Sequence, residues 1–154
     1  MTIISNTKQP VLRSGTVKGD LVCYTGSLGS CKKDLEKLLD NKKVSKKSKF
    51  IKPKLNPDFF YAVAPYINSA LDISDGLFFE LERLSKSNKL GFQFFDEIAN
   101  SVGCSGEEYE ILFTYNEKNR KKIEKIAKNY GVKLNTFARA VKGKYKCECK
   151  NHHF

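Results

Sequence analysis

The sequence contains no tryptophan, a single methionine and no apolar run approaching the roughly 18 residues that a membrane span requires. Its first residues, Met1-Thr2-Ile3-Ile4-Ser5-Asn6, lack the charged start and long apolar core of a secretory signal. No membrane partner is expected, and a cytoplasmic location is. Acid is also scarce: 17 Asp and Glu face 28 Lys and Arg, a formal net charge of +11. The five cysteines, Cys23, Cys31, Cys104, Cys147 and Cys149, are odd in number and have no framework spacing, which fits reduced thiols.

What is present suffices for one domain. At 154 residues, with eleven Phe and seven Tyr as packing material, the chain can bury a core without disulfides. The basic excess is concentrated in two places. From Asn41 to Lys54 there are seven lysines and no acid, read as a flexible, exposed connection, and Lys118 to Lys150 is similarly biased. Such charge suits nucleic acid through phosphate neutralisation. However, it is lysine-rich and accompanied by no helix-turn-helix, zinc finger or RNA-binding aromatic signature, so a solvated surface is the preferred reading.

Apolar periodicity marks strands at Thr2 to Ser5 and Leu21 to Thr25, then a helix from Ser30 to Asp40. The turn Thr25-Gly26-Ser27-Leu28-Gly29 could expose amides to a phosphate, although it lacks the Lys-Ser/Thr ending of a P-loop. Pro57 suits the first turn of the next helix, which Pro65 shortens. A strand over Ser69 to Ser74 leads into an amphipathic helix bearing Leu77, Phe78, Leu81 and Leu84. Strands follow at Gly91 to Phe95 and Ile111 to Tyr115, a basic helix at Asn116 to Tyr130, and strands at Val132 to Val141 and Tyr145 to Cys149. The expectation is an α+β fold with a mixed β-sheet covered by helices.

The most specific segment is Asp72-Ile73-Ser74-Asp75-Gly76-Leu77, at the junction of strand and helix. Two carboxylates three residues apart suit a hard cation such as Mg2+, which takes one or two protein acids plus substrate phosphates. A helix start beside them suits phosphate. The competing reading makes Asp75 a simple N-cap. Further on, Glu107-Glu108-Tyr109-Glu110 precedes a buried strand, where one acid can serve as a polar anchor. Cys147, Cys149, His152 and His153 are poorly spaced for tetrahedral zinc.

Three segments in order carry a family resemblance: Arg13-Ser14-Gly15 with Gly19-Asp20 running into the Thr25-Gly26 turn, the acidic hexapeptide, and Ser105-Gly106-Glu107-Glu108-Tyr109-Glu110. Together with the ending His153-Phe154 they resemble the C-terminal domain of thiamine-monophosphate kinase, related to aminoimidazole ribonucleotide synthetase. The resemblance spans essentially the whole chain. It implies ATP-dependent phosphorylation of thiamine monophosphate to thiamine diphosphate. It assigns Asp72 and Asp75 to Mg2+, Arg13 and Ser74 to ATP, and Glu107 to the thiamine substrate, with no catalytic nucleophile. It also implies a missing N-terminal domain, a homodimer in the full-length protein, and an isolated chain that is inactive. The family's aromatic substrate contact falls on Glu148, leaving Tyr145 or Phe154 as substitutes. A non-catalytic ligand-binding module of the same fold and a basic nucleic-acid-binding domain are the alternatives.

Overall fold

The computed structural model describes residues 10–149. The strand expected at Thr2 to Ser5 lies outside them. Five strands, β1 (Leu21–Thr25), β2 (Ser69–Asp72), β3 (Leu90–Phe94), β4 (Ile111–Tyr115) and β5 (Leu134–Lys142), form one sheet in the order β2-β4-β1-β5-β3. Five helices accompany them: α1 (Ser30–Leu39), α2 (Pro57–Val63), α3 (Leu77–Asn88), α4 (Asn100–Gly103) and α5 (Arg120–Asn129).

The α+β class is as expected, but every pairing is antiparallel rather than mixed. The topology explains the difference. Helical crossovers return the chain in the same direction from β1 to β2, from β2 to β3 and from β4 to β5, yet strands consecutive in sequence are never neighbours. Each such pair is split by at least one strand of opposite direction.

Period-two alternation sorts the side chains to two faces. On one, Leu21 and Cys23 of β1 and Phe113 and Tyr115 of β4 pack against Phe59 and Val63 of α2 and Ile123 and Ala127 of α5. On the other, Val22, Leu112 and Ala138 meet Leu77, Leu81 and Leu84 of α3. The three leucines recur at helical spacing and are fully buried, each contributing about 1.5–3 kcal/mol. Leu81→Ala should therefore loosen the seat of α3, at a cost of about 2–5 kcal/mol.

Two expectations need correction at the C-terminal side. Tyr145 to Cys149 forms no strand, and Cys149 is bonded to Cys104 in a disulfide with Cα atoms 5.8 Å apart. That separation is ordinary for a disulfide. The sequence separation of 45 between the two cysteines hides the pairing from any spacing argument. Cys23, Cys31 and Cys147 remain free thiols. With Cys149 in the disulfide and the two histidines outside the described residues, the zinc reading has no support.

Candidate active site

The two motif turns lie side by side. Beyond Asp72 the chain continues along the 107–110 segment: the Ile73 amide donates to the Glu110 carbonyl at 2.8 Å, and the Tyr109 amide to the Ile73 carbonyl at 2.9 Å. The Glu107 amide then donates to the Ser74 carbonyl at 2.6 Å. Glycines permit this backbone-to-backbone approach. A Cβ on Gly106 would stand 3.0 Å from the Ser74 oxygen, and one on Gly76 would stand 3.1 Å from the Gly103 oxygen. Gly76 also has φ of +117°, which L-residues rarely adopt.

Gly76, rather than Asp75, is the N-cap of α3, and no side chain caps that end. The capping reading of Asp75 is thus overturned. Its carboxylate is free to turn to Arg83 on the first turns of α3, and the same guanidinium binds Glu80. Glu80 is 1% exposed, and its Oε1 also accepts from the Ser74 hydroxyl and the Asp75 amide, both at 3.4 Å. Burial pushes the Glu80 carboxyl above its usual range, outweighing the opposing pull of Arg83. Asp72 is exposed at the end of β2.

The second turn alternates. Glu107 and Tyr109 face solvent with φ of +58° and +51°, while Glu108 and Glu110 are buried. Tyr109 donates its hydroxyl to Glu107 Oε2 at 2.6 Å. Glu108 Oε1 accepts the Gly29 amide at 2.7 Å, the Cys31 amide at 3.2 Å and the Ser105 hydroxyl at 2.7 Å. The amides that could have cradled a phosphate at the start of α1 are therefore already bound by an internal carboxylate, which removes that reading of the Thr25-Gly29 turn. The expected polar anchor is real. It is Glu108, with Glu110 receiving the Thr25 hydroxyl.

Their counter-ion comes from the lysine-rich segment. Lys49 Nζ lies 3.0 Å from Glu108 Oε2, 2.8 Å from Glu110 Oε1 and 2.8 Å from the Ser27 carbonyl, so its three donors are all used. Burial alone would lower its pKa, but the hydrogen bonds to Glu110 and Glu108 raise it overall. The segment is exposed over most of its length; Ser48, Lys49 and Phe50 are half-buried.

These elements enclose a cavity of about 580 Å³. Ser74, Asp75, Arg83 and Glu107 line it, joined by an apolar side of Leu35, Phe50 and Phe79. That volume is within the range of small-molecule sites. Cys31 also lines it, but burial pushes its thiol up to about 11, so it stays neutral and is a poor nucleophile. Among the described residues no group of three or more His, Cys, Asp or Glu is arranged to hold a metal. An all-protein cage is excluded there. Asp75 lines the cavity, whereas Asp72, three residues earlier at the exposed end of β2, does not; a pair of carboxylates at such an edge suits Mg2+, whose remaining positions go to phosphates and water.

Ser74, Asp75 and Glu107 are thus brought together. Arg13 is not. Its carbonyl is held by Asn88 at the far end of α3, a helix about 18 Å long, and its side chain is exposed. Tyr145 packs into an aromatic cluster with Phe78, Phe92 and Phe94 and does not line the cavity. Phe154 lies outside the described residues. Sequence reasoning missed Glu80, Arg83, Lys49 and Phe50. For Arg83 a signal was available, since it stands three residues after Glu80 on the same helix face.

No family model matches the chain. Among solved structures, thiamine-monophosphate kinase from Stenotrophomonas maltophilia superposes with a TM-score of 0.78 and 16% identity, covering 90% of this chain and 52% of that one. E. coli HypE, a hydrogenase maturation protein, gives 0.70 and 10%, covering 96% and 54%. AaThiL complexed with AMPPCP and TMP gives 0.72 and 21%, covering 88% and 49%. The fold is accordingly the one shared by the aminoimidazole ribonucleotide synthetase-like proteins.

Within that class, sequence gives the particular relationship. The chain is 33% identical over 150 residues to the thiamine-monophosphate kinase of Buchnera aphidicola subsp. Schizaphis graminum, over 82% of this chain and 46% of the relative. It is 34% identical over 146 residues to that of Nitrosopumilus maritimus, over 82% and 47%. It is a homologue of the thiamine-monophosphate kinases, and spans about half the length of the curated relatives it matches.

Proposed function

We propose that the chain supplies the C-terminal, substrate- and metal-contributing half of an ATP-dependent thiamine-monophosphate kinase. The observation that carries this reading is the Glu107–Ser74 bond, which holds the acidic turn and the Glu107 turn on one cavity. The γ-phosphoryl group of ATP passes to a phosphate oxygen of thiamine monophosphate, giving ADP and thiamine diphosphate. The acceptor oxygen already carries negative charge, so no side-chain nucleophile is needed, in keeping with the neutral thiol of Cys31. Catalysis of this kind is positioning and charge neutralisation.

Asp72 and Asp75 would hold Mg2+, which supplies neutralisation of phosphate charge when bound. The Ser74 hydroxyl, kept in place by Glu80, orients a nucleotide phosphate oxygen. Glu107 is aimed at solvent by its positive φ and presents an anion to the quaternary thiazolium. Arg13 would reach the nucleotide only from the far end of α3, so its role depends on the N-terminal half, which also forms the homodimer in this reading. A cytoplasmic setting supplies the ATP, while the Cys104–Cys149 disulfide weighs against it.

The test is an assay with Mg2+-ATP and thiamine monophosphate. The chain alone should give no thiamine diphosphate, whereas the chain joined to the N-terminal half of a relative should turn over. Failure of the joined protein, once shown to be folded, refutes the kinase reading; turnover by the chain alone refutes the need for the other half.

A further inference from the structure

Phe50 sits in a segment whose composition calls for solvent, yet it is held in the cavity wall by two clamps on the residues just before it. In one, Lys49 spends its three donors on Glu108, Glu110 and the Ser27 carbonyl. In the other, the Ser48 hydroxyl donates to Asp34 of α1 and accepts the Phe50 amide at 3.1 Å. Residues 48–50 are half-buried between exposed neighbours, so the ring is held there by hydrogen bonds rather than by packing of its own segment. Among the described residues that ring has neither an aromatic nor a cationic partner, unlike Tyr66, which lies under Lys122. The residue is half-buried and lines the cavity.

The charges around the cavity indicate what would use the face of that ring. Arg83 is committed to Asp75 and Glu80, and Lys86 to Glu82. Among the described residues Glu107 and Glu36 have no cationic partner and Lys32 has no acidic one, and all three line the cavity with Leu35 and Phe79, so unpaired negative charge is in excess there. An aromatic wall with unpaired carboxylates selects a flat ring carrying positive charge.

We infer that Phe50, latched by Lys49, is the specificity-determining face on which a cationic heteroaromatic ring rests in this cavity. The inference rests on the kinase reading only for naming that ring, the thiazolium of thiamine monophosphate. Lys49 acts at one remove, by positioning Phe50. The site recognises the ring by its charge and flatness, and the uncharged form of the same ring lacks the first of these.

Thiamine monophosphate and uncharged 4-methyl-5-(2-hydroxyethyl)thiazole are each titrated into the full chain and followed by saturation-transfer NMR. Phe50→Leu keeps the apolar bulk and removes only the π face. It should weaken thiamine monophosphate about tenfold, while Phe50→Tyr stays within about twofold of the parent. The thiazole should bind far more weakly to the parent than its charged N-methyl thiazolium, titrated beside it, which differs only by the methyl and the charge. Unchanged affinity in Phe50→Leu, no binding of thiamine monophosphate by the parent, or equal affinity for the uncharged thiazole and its thiazolium overturns the inference. Failure of the kinase reading is seen separately: Phe50-dependent binding with no thiamine diphosphate from the joined protein keeps this inference and removes that reading.

Discussion

The Glu107 amide donates to the Ser74 carbonyl at 2.6 Å, joining two turns that come from opposite ends of the α3–β3–α4 excursion. The contact is backbone to backbone and depends on residues without side chains. Gly76 has the more demanding place, since it combines φ of +117° with a would-be Cβ 3.1 Å from the Gly103 oxygen. Gly76→Ala should therefore destabilise the chain by about 1–3 kcal/mol in urea unfolding. A neutral result would show that the turn relaxes freely and that its geometry is not enforced.

Asp75 and Glu107 line the same cavity but should fail differently in the joined kinase. Asp75→Asn removes a charge that the transferring phosphoryl group requires through its metal, and turnover should fall about a hundredfold or more with the fold intact. Glu107→Gln removes an anion facing the substrate ring. It should raise KM for thiamine monophosphate about tenfold and leave KM for ATP unchanged. Steady-state kinetics with each substrate varied separates the two roles, and a selective loss of ATP affinity in Glu107→Gln would reassign that residue.

The helices and inner strands were legible because their apolar residues keep period 3.6 or 2, as Leu77, Leu81 and Leu84 do on α3 and Phe113 and Tyr115 do on β4. The acidic turn was legible as chemistry. Its wiring was not: whether Asp75 caps a helix or faces Arg83 depends on the φ of Gly76, which leaves no trace in composition. Tyr145 to Cys149 has strand-like residues and forms none, because the Tyr145 and Cys147 amides donate to Ser85 and Glu82 of α3 rather than to a sheet edge. Lys49 shows the same limit from the other side. Seven lysines in one acid-free stretch look alike, and only the fold brings two buried glutamates to one of them.

Cys104 belongs to the loop that leads into the Glu107 turn, and its disulfide to Cys149 closes a 45-residue separation. Closing a loop of that size restricts the unfolded chain, so Cys149→Ser should cost about 2–4 kcal/mol. Disulfide mapping by mass spectrometry without reductant should recover the Cys104–Cys149 peptide pair, and reductant should lower the urea midpoint of the parent but not of the variant. An unchanged parent midpoint would show that the bond does not contribute to stability.

Lys49 yields the pH-dependent prediction. Glu108 is fully buried and Glu110 nearly so, while Lys49 retains 17% side-chain exposure. Lys49→Met leaves two carboxylates facing one another without a counter-ion, at a cost of about 2–4 kcal/mol, reduced from a fully buried pair by that residual solvent access. The folded pKa of Lys49 is raised, because its hydrogen bonds to Glu110 and Glu108 outweigh burial. A lysine in the unfolded chain titrates near pH 10.4, so a raised folded value means stability that is complete below about pH 10.4 and lost as pH climbs through the folded pKa. The stability gap between parent and Lys49→Met should thus stay level from neutral pH to about pH 10 and narrow above it. Paired urea titrations on freshly transferred samples measure that gap, and a gap already closing below pH 9 would place its origin in some group other than the Lys49 ammonium.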